Sequence, residues 1–169
     1  MTLDTNELFF ANRIACTFIE PFPALLRSLI MPDDPARVEI IASPLQDVDV
    51  ARFRELNEND ILFIDSTHVA KLGSDVNFIF TEILPTLRRG VYVHFHDIFY
   101  PFEYPAAWLN EGRVWTEAYV LRAFLTFNTD YEIVLFNTFL EHFHRNQFEQ
   151  YMPLCLENEG GSIWLRRMR

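Results

Sequence analysis

The sequence predicts an α/β fold built on a parallel sheet, and three observations predict it. Short apolar runs without polar alternation recur along the chain, as expected for strands buried on both faces. Stretches with apolar residues at helical spacing separate these runs, and that order implies right-handed crossovers. The length of 169 residues suits one domain over 1–169, and a chain 50% hydrophobic and 22% charged is globular in composition rather than disordered.

The elements follow in order. Residues Leu3–Asn12 read as the tail of a helix. Ile14–Ile19 is an apolar run closed by Glu20-Pro21, and Val38–Ala42 is another closed by Ser43-Pro44. Ile61–Ile64 ends at Asp65, and Val91–Phe95 ends at His96-Asp97. Helices are expected over Pro21–Ile30, Val50–Leu56 and Ser74–Leu87. The last carries Val76, Ile79, Phe80, Ile83, Leu84 and Leu87 on one stripe and is stopped by Arg88-Arg89-Gly90. An aromatic, Pro-rich loop from Ile98 to Leu109 comes next, then a helix at Gly112–Phe127 and a strand at Tyr131–Asn137. A helix near Arg145–Leu156 and a strand at Ser162–Arg167, after the Gly160-Gly161 turn, complete the chain.

The net charge of −10 argues against a duplex nucleic-acid partner, which needs a basic footprint to displace phosphate counterions. Cys16 and Cys155 both lie among apolar neighbours and read as buried free thiols. The first residues lack the basic and apolar regions of a signal peptide, and no apolar run approaches the ~18 residues that span a bilayer. The expectation is a cytoplasmic protein without a membrane partner.

Ligands of parallel α/β sheets bind at the carboxyl ends of the strands. Glu20, Gln46-Asp47, Asp65 with His68, and His96-Asp97 all follow strand ends. Four independent runs that finish in acids or histidines mark that edge as the site.

These stretches carry a resemblance: Thr17-Phe18-Ile19-Glu20-Pro21, Gln46-Asp47-Val48, Ile61–His68, Pro85 to Val91, Val93–Asp97 and the closing Gly160–Leu165. In that order and spacing the chain resembles the class I S-adenosylmethionine (SAM)-dependent methyltransferases that act on small molecules. The resemblance implies a Rossmann-like three-layer αβα sandwich, with a mostly parallel sheet and a C-terminal antiparallel hairpin. It implies that Glu20 accepts hydrogen bonds from the two ribose hydroxyls of SAM, since two carboxylate oxygens match two vicinal donors. Glu20 reads equally as a strand-end acid before a helix opened by Pro21. The resemblance sets Asp47, with Gln46, against the adenine amino group, and Asp65 beside the meeting point of cofactor and acceptor.

Around the acceptor it places Asp65, His68, His96 and Asp97, with His68 as a general base. Asp65, His96 and Asp97 also offer two hard oxygens and an imidazole to a divalent ion such as Mg²⁺, as related metal-dependent O-methyltransferases do. His94 and His96 share a face of their strand and resemble the opening ligand pair of barrel metallohydrolases. His94 by itself reads as a satisfied buried histidine, and His142 and His144 read as surface residues. The loop Phe99–Trp108 reads as a wall or lid over an acceptor, or as packing, with Trp115, Glu117 and Tyr119 lining the same cleft.

One element of the family is missing. Its first strand and Gly-rich turn, where backbone meets SAM too closely for a Cβ, have no counterpart: the first glycine is Gly73. The expectation is an N-terminally truncated methyltransferase acting on a small-molecule oxygen or nitrogen nucleophile, inactive if SAM binding is lost. Two alternatives stand beside it: a non-catalytic remnant serving in assembly, and a metal-dependent hydrolase. Without the central strand, inner sheet edges are left unpaired, and a homo-oligomer is expected.

Overall fold

A computed structural model describes residues 2–31, 38–157 and 160–169. The chain forms two compact units, Met1–Val48 and Asp49–Arg169.

The first unit begins with helix α1 (Thr2–Phe10). Its one buried residue, Asn6, closes the following turn: its amide donates to the Ile14 carbonyl at 2.9 Å and accepts the Ile14 N–H at 3.1 Å. Both polar atoms of the buried side chain are therefore satisfied, which lets Ala11 and Asn12 hold positive φ. Strand β1 (Cys16–Ile19) pairs in parallel with β2 (Val38–Ile41), from Cys16 opposite Val38 to Ile19 opposite Ile41. Helix α2 (Ala24–Leu29) connects towards β2 through residues outside the described set.

The second unit holds a four-stranded sheet in the order β3 (Ile61–Ile64), β4 (Tyr92–His96), β6 (Ser162–Arg167), β5 (Tyr131–Phe136). β3 and β4 are parallel, while β6 lies antiparallel between β4 and β5. This corrects the expected mostly parallel sheet: the larger sheet is mixed, and only the β1–β2 pair is parallel throughout. Unbroken apolar runs report burial, and burial does not reveal strand direction. β5 and β6 are antiparallel neighbours as expected at the C-terminal end, but residues 137–161 intervene, so they form an antiparallel pair and not a hairpin.

Alternation along the strands separates two faces. Val93, Phe95, Ile163 and Leu165 are fully buried against helices. Phe80 stacks on Phe95 at 5.6 Å and meets Phe124 edge-on at 5.4 Å, and the Tyr131 hydroxyl donates to the Leu84 carbonyl. On the opposite face Ile61 and Phe63 are more than half exposed. β3 is therefore not buried on both faces, contrary to expectation. Among the described residues β3 pairs only with β4 and β1 only with β2.

The helices also differ in detail. The expected helix over Ser74–Leu87 is one α turn (α3, Asp75–Phe78), a π turn (Ile79–Ile83) and a 3₁₀ turn (Leu84–Thr86), with Pro85 inside the last. Gly90 ends it at φ +87, where an added Cβ would meet Glu58 at 2.5 Å. Val50–Glu55 is 3₁₀ rather than α, capped by the Asp49 carboxylate on the Ala51 N–H. A short helix, α4 (Ala106–Asn110), interrupts the aromatic loop, and α5 starts later than expected, over Glu117–Phe127. Helix α6 (Asn137–Tyr151) starts directly from β5, because the Asn137 side chain accepts both the Thr138 and Ser162 amides. Among the described residues no helix is long and apolar enough to cross a membrane. Cys155 is exposed and Cys16 half-buried, both as free thiols, so the expectation of two buried cysteines fails.

Candidate active site

The residues that cluster sit where β3 and β4 end. β3 delivers the chain into Asp65-Ser66-Thr67-His68, and several anchors hold that turn. The Thr67 amide and hydroxyl both donate to Asp75, at 2.8 and 2.6 Å. The His68 amide donates to the Ser66 hydroxyl, and the His68 carbonyl accepts the amides of Thr116 and Glu117. Those are orphan donors at the start of α5, so the turn caps the helix while the helix pins the turn. His68 takes φ +59 as a result, and Asp97, just past β4, takes φ +56. Two non-glycine residues in left-handed backbone at one sheet edge are the sort of strain that functional sites store.

The side chains of these two residues face each other. His68 Nε2 lies 3.9 Å from Asp97 Oδ2 and 3.5 Å from Asp65 Oδ1. Both distances exceed a direct hydrogen bond and leave Nε2 open to a third group. Nδ1 is committed, at 2.8 Å from Glu117 Oε2. The other Glu117 oxygen accepts the Ser66 hydroxyl at 2.9 Å. Glu117 is fully buried and His68 nearly so, whereas the Asp65 side chain is mostly exposed. Burial of the His68 ring works against its charged form. The hydrogen bond and charge of Glu117, then Asp97 and Asp65, outweigh it and hold the imidazole above its ordinary value.

An aromatic wall backs the imidazole. Trp115 lies 4.2 Å from the His68 ring, Trp108 packs edge-on to Trp115 at 5.1 Å, and the Arg113 guanidinium sits 4.6 Å over Trp108. Tyr104 is buried and accepts the Ala118 amide on its hydroxyl, and burial pushes its ionisation upward. Ile98 is fully buried, and the Tyr100 amide donates to the Thr138 hydroxyl. The Phe99–Trp108 loop is thus packed at both ends, as a wall.

Of the expected acceptor-side residues, Asp65, His68 and Asp97 converge. His96 joins at the rim, half-exposed, with Nε2 3.5 Å from Asp97 Oδ1. The expected metal set Asp65, His96, Asp97 does not assemble. Among the described residues no three His, Cys, Asp or Glu side chains are grouped to hold a metal ion. The two aspartates lie nearest the His68 ring, and His96 approaches Asp97 alone at 3.5 Å. His94 gives the hydrolase alternative no support. It is buried against Phe63 at 4.2 Å and Trp164 at 4.7 Å, and both ring nitrogens lack a protein partner among the described residues. It is therefore buried but not satisfied, contrary to expectation, and burial drops its ionisation to about 4. His142 and His144 are exposed, as expected.

Of the expected cofactor residues, Glu20, Gln46 and Asp47 lie in the first unit and Asp65 in the second. Glu20 follows β1, and one of its carboxylate oxygens accepts the Phe22 amide at 2.8 Å, closing a local turn before α2. Gln46 and Asp47 are exposed on a 3₁₀ turn after β2.

The sequence offers Glu117 only as a lining residue of the cleft. The available signal was its place at the head of the stripe Glu117, Leu121, Phe124 on α5. An acid on a buried stripe needs a partner.

Residues 4–98 match a family described as a methyltransferase domain, more than half of the chain. The chain belongs to that family. The matched stretch of this methyltransferase domain ends just past Asp97, so it contains three of the four converging groups and leaves Glu117 outside. No curated protein and no solved structure gives a match.

Family membership implies SAM as cosubstrate. The residues present do not make a full cradle for it: residues 1–72 hold no glycine, and Glu20 already bonds its own backbone.

Proposed function

We propose that this methyltransferase domain activates a small-molecule oxygen or nitrogen nucleophile for methylation, with His68 as the base. The observation that carries the reading is a nearly buried imidazole whose Nδ1 is occupied by a buried carboxylate and whose Nε2 lies near Asp65 and Asp97 with no direct hydrogen bond to either. The acceptor hydroxyl or amine sits against Nε2, between Asp65 and Asp97. Its proton moves to Nε2 as the nucleophile attacks, and the two aspartates steady the imidazolium that forms. Trp115 keeps water from one side of the ring, and His96 orients Asp97. Most of the rate gain comes from holding acceptor and base at reacting distance. Glu20, Gln46 and Asp47 are proposed as nucleoside contacts on the strength of the family resemblance alone.

The test is direct. Purified protein is incubated with SAM and a panel of phenols, sugars and amines, and S-adenosylhomocysteine is quantified, with calorimetry for SAM binding in parallel. Acceptor-dependent product is expected. Absence of product across the panel, together with no binding heat at millimolar SAM, would overturn the proposal.

A second reading, self-assembly, is favoured by one observation: β3 combines exposed Ile61 and Phe63 with an outer edge that has no strand partner among the described residues. A second copy of the chain would be the occupant. A monomeric mass by light scattering at micromolar concentration rejects it.

A further inference from the structure

We propose that Glu117 is the positioning residue of this site: it fixes the His68 ring in the Nδ1–H tautomer and turns the Nε2 lone pair towards the acceptor. The inference rests on the reading of His68 as base and adds the group that makes it one.

The argument starts from a burial that needs explaining. Glu117 is the first residue of α5 and has no exposed surface. A buried carboxylate costs several kcal/mol unless its oxygens are bonded and its charge is met. Both oxygens are used here, and both uses lead to His68. Oε1 accepts the Ser66 hydroxyl, and that hydroxyl oxygen accepts the His68 amide, so the single hydroxyl proton is committed. Oε2 stands 2.8 Å from Nδ1. A carboxylate only accepts, so the neutral ring must carry its proton on Nδ1 to bond it. Nε2 is then the basic nitrogen, and it lies on the side of Asp65 and Asp97.

The backbone closes the same loop. The Glu117 and Thr116 amides end on the His68 carbonyl, and the Thr116 hydroxyl accepts the Ala70 amide. Residues 66–70 and the start of α5 therefore form one bonded unit, and the left-handed backbone of His68 is held by it. The ring cannot flip without breaking a bond to a fully buried acid. When Nε2 takes the acceptor proton, the O–H or N–H bond breaks and its electron pair stays on the nucleophile. The Nδ1 proton remains between His68 and Glu117.

Among the described residues, the charged groups that face this ring come from several elements. Glu117 meets Nδ1, and Asp65 and Asp97 face Nε2, with His96 behind Asp97. Trp115 covers one face, and Arg113 lies 5.5 Å over the Trp115 ring. Among the described residues only Glu117 touches Nδ1 at hydrogen-bond distance.

The experiment is an NMR titration of ¹⁵N-histidine-labelled full-length protein, with long-range proton–nitrogen correlations reading the tautomer of His68. Above its midpoint the wild-type ring is expected as the Nδ1–H tautomer. Glu117→Gln keeps shape and an acceptor but removes the charge, so its His68 midpoint is expected to move down towards free imidazole with the fold retained. An Nε2–H tautomer in the wild type overturns the proposal, as does an unchanged midpoint in a folded Glu117→Gln. If that variant fails to fold, the wild-type tautomer decides alone. In turnover, the acid limb of the kcat–pH profile, where His68 becomes protonated and can no longer act as base, is expected to move with the NMR midpoint while KM holds, a change that a merely structural role would not produce. The NMR readouts need no acceptor. A search for turnover that fails therefore counts against the methyl-transfer reading, while the Glu117–His68 pairing stands or falls on the tautomer.

Discussion

His68 and His94 are almost equally buried, at 5% and 6% exposure, yet their surroundings drive them in opposite directions. His68 has a buried carboxylate on one nitrogen and two aspartates near the other, and its ionisation is raised. His94 lies among Phe63, Trp164 and His96, bonds nothing through either nitrogen among the described residues, and ionises only near pH 4. Burial alone therefore says little about what a histidine does. The partner at Nδ1 separates an imidazole ready to take a proton from one that behaves as an aromatic filler.

The largest expected effect breaks the comparison on the side of His68. His68→Ala should lower acceptor-dependent S-adenosylhomocysteine formation by about 10²–10⁴-fold, the usual contribution of a positioned base. His94→Phe should leave turnover near wild type. Equal losses in the two variants would dissolve the distinction.

Next in size is the removal of one partner only. Glu117→Ala leaves His68 buried beside an unmet cavity and an unbonded Ser66, and should destabilise the protein by about 3–5 kcal/mol in urea unfolding. The same truncation at Glu132, exposed on β5, should change stability by under about 0.5 kcal/mol.

A smaller effect sharpens the side of His94. Two unbonded ring nitrogens in an apolar site cost about 1–3 kcal/mol, so His94→Phe should stabilise the protein by a similar amount at neutral pH.

The pH dependence follows from the same pair. Between its ordinary value of 6.5 and about 4, His94 accepts a proton only in the unfolded chain, so wild-type stability should fall as pH drops through that window. His94→Phe should flatten that limb. His68 has the opposite sign: its raised folded value contributes stability that is complete below the ordinary imidazole value and is lost as pH rises through the folded one. His68→Gln should remove this alkaline decline and leave the acid limb intact, both read as urea midpoints across a pH series.

Much of this site is written in short stretches of sequence. Ile61–Ile64 and Val91–Phe95 mark strands because four or five apolar residues in a row must be buried somewhere. Asp65, His68, His96 and Asp97 follow because strand ends are where side chains converge. What stayed hidden depends on distance along the chain. Glu117 lies 49 residues from His68, and the first turn of a helix is an ordinary place for an acid. The antiparallel course of β6 was legible only through the family resemblance and leaves no mark in its composition, since Ile163 and Leu165 would be equally buried in a parallel strand. The loneliness of His94 was also illegible, because a buried histidine usually finds a partner. Nothing in the Val93–Phe95 run indicates that this one stacks on Phe63 instead.

The strand order has a consequence in time. β6 is the last of its sheet to leave the ribosome, yet it fills the space between β4 and β5 and carries ladder bonds to both. Until Ser162–Arg167 emerge, β4 and β5 have no strand to join them, and the Asp97 amide lacks the Gly161 carbonyl that it bonds at 2.8 Å. The acceptor site therefore cannot mature as synthesis proceeds. A chain that lacks residues 161–167 would keep His68 and Glu117 but lose the ladder that joins β4 to β5 and the Gly161 carbonyl that holds Asp97.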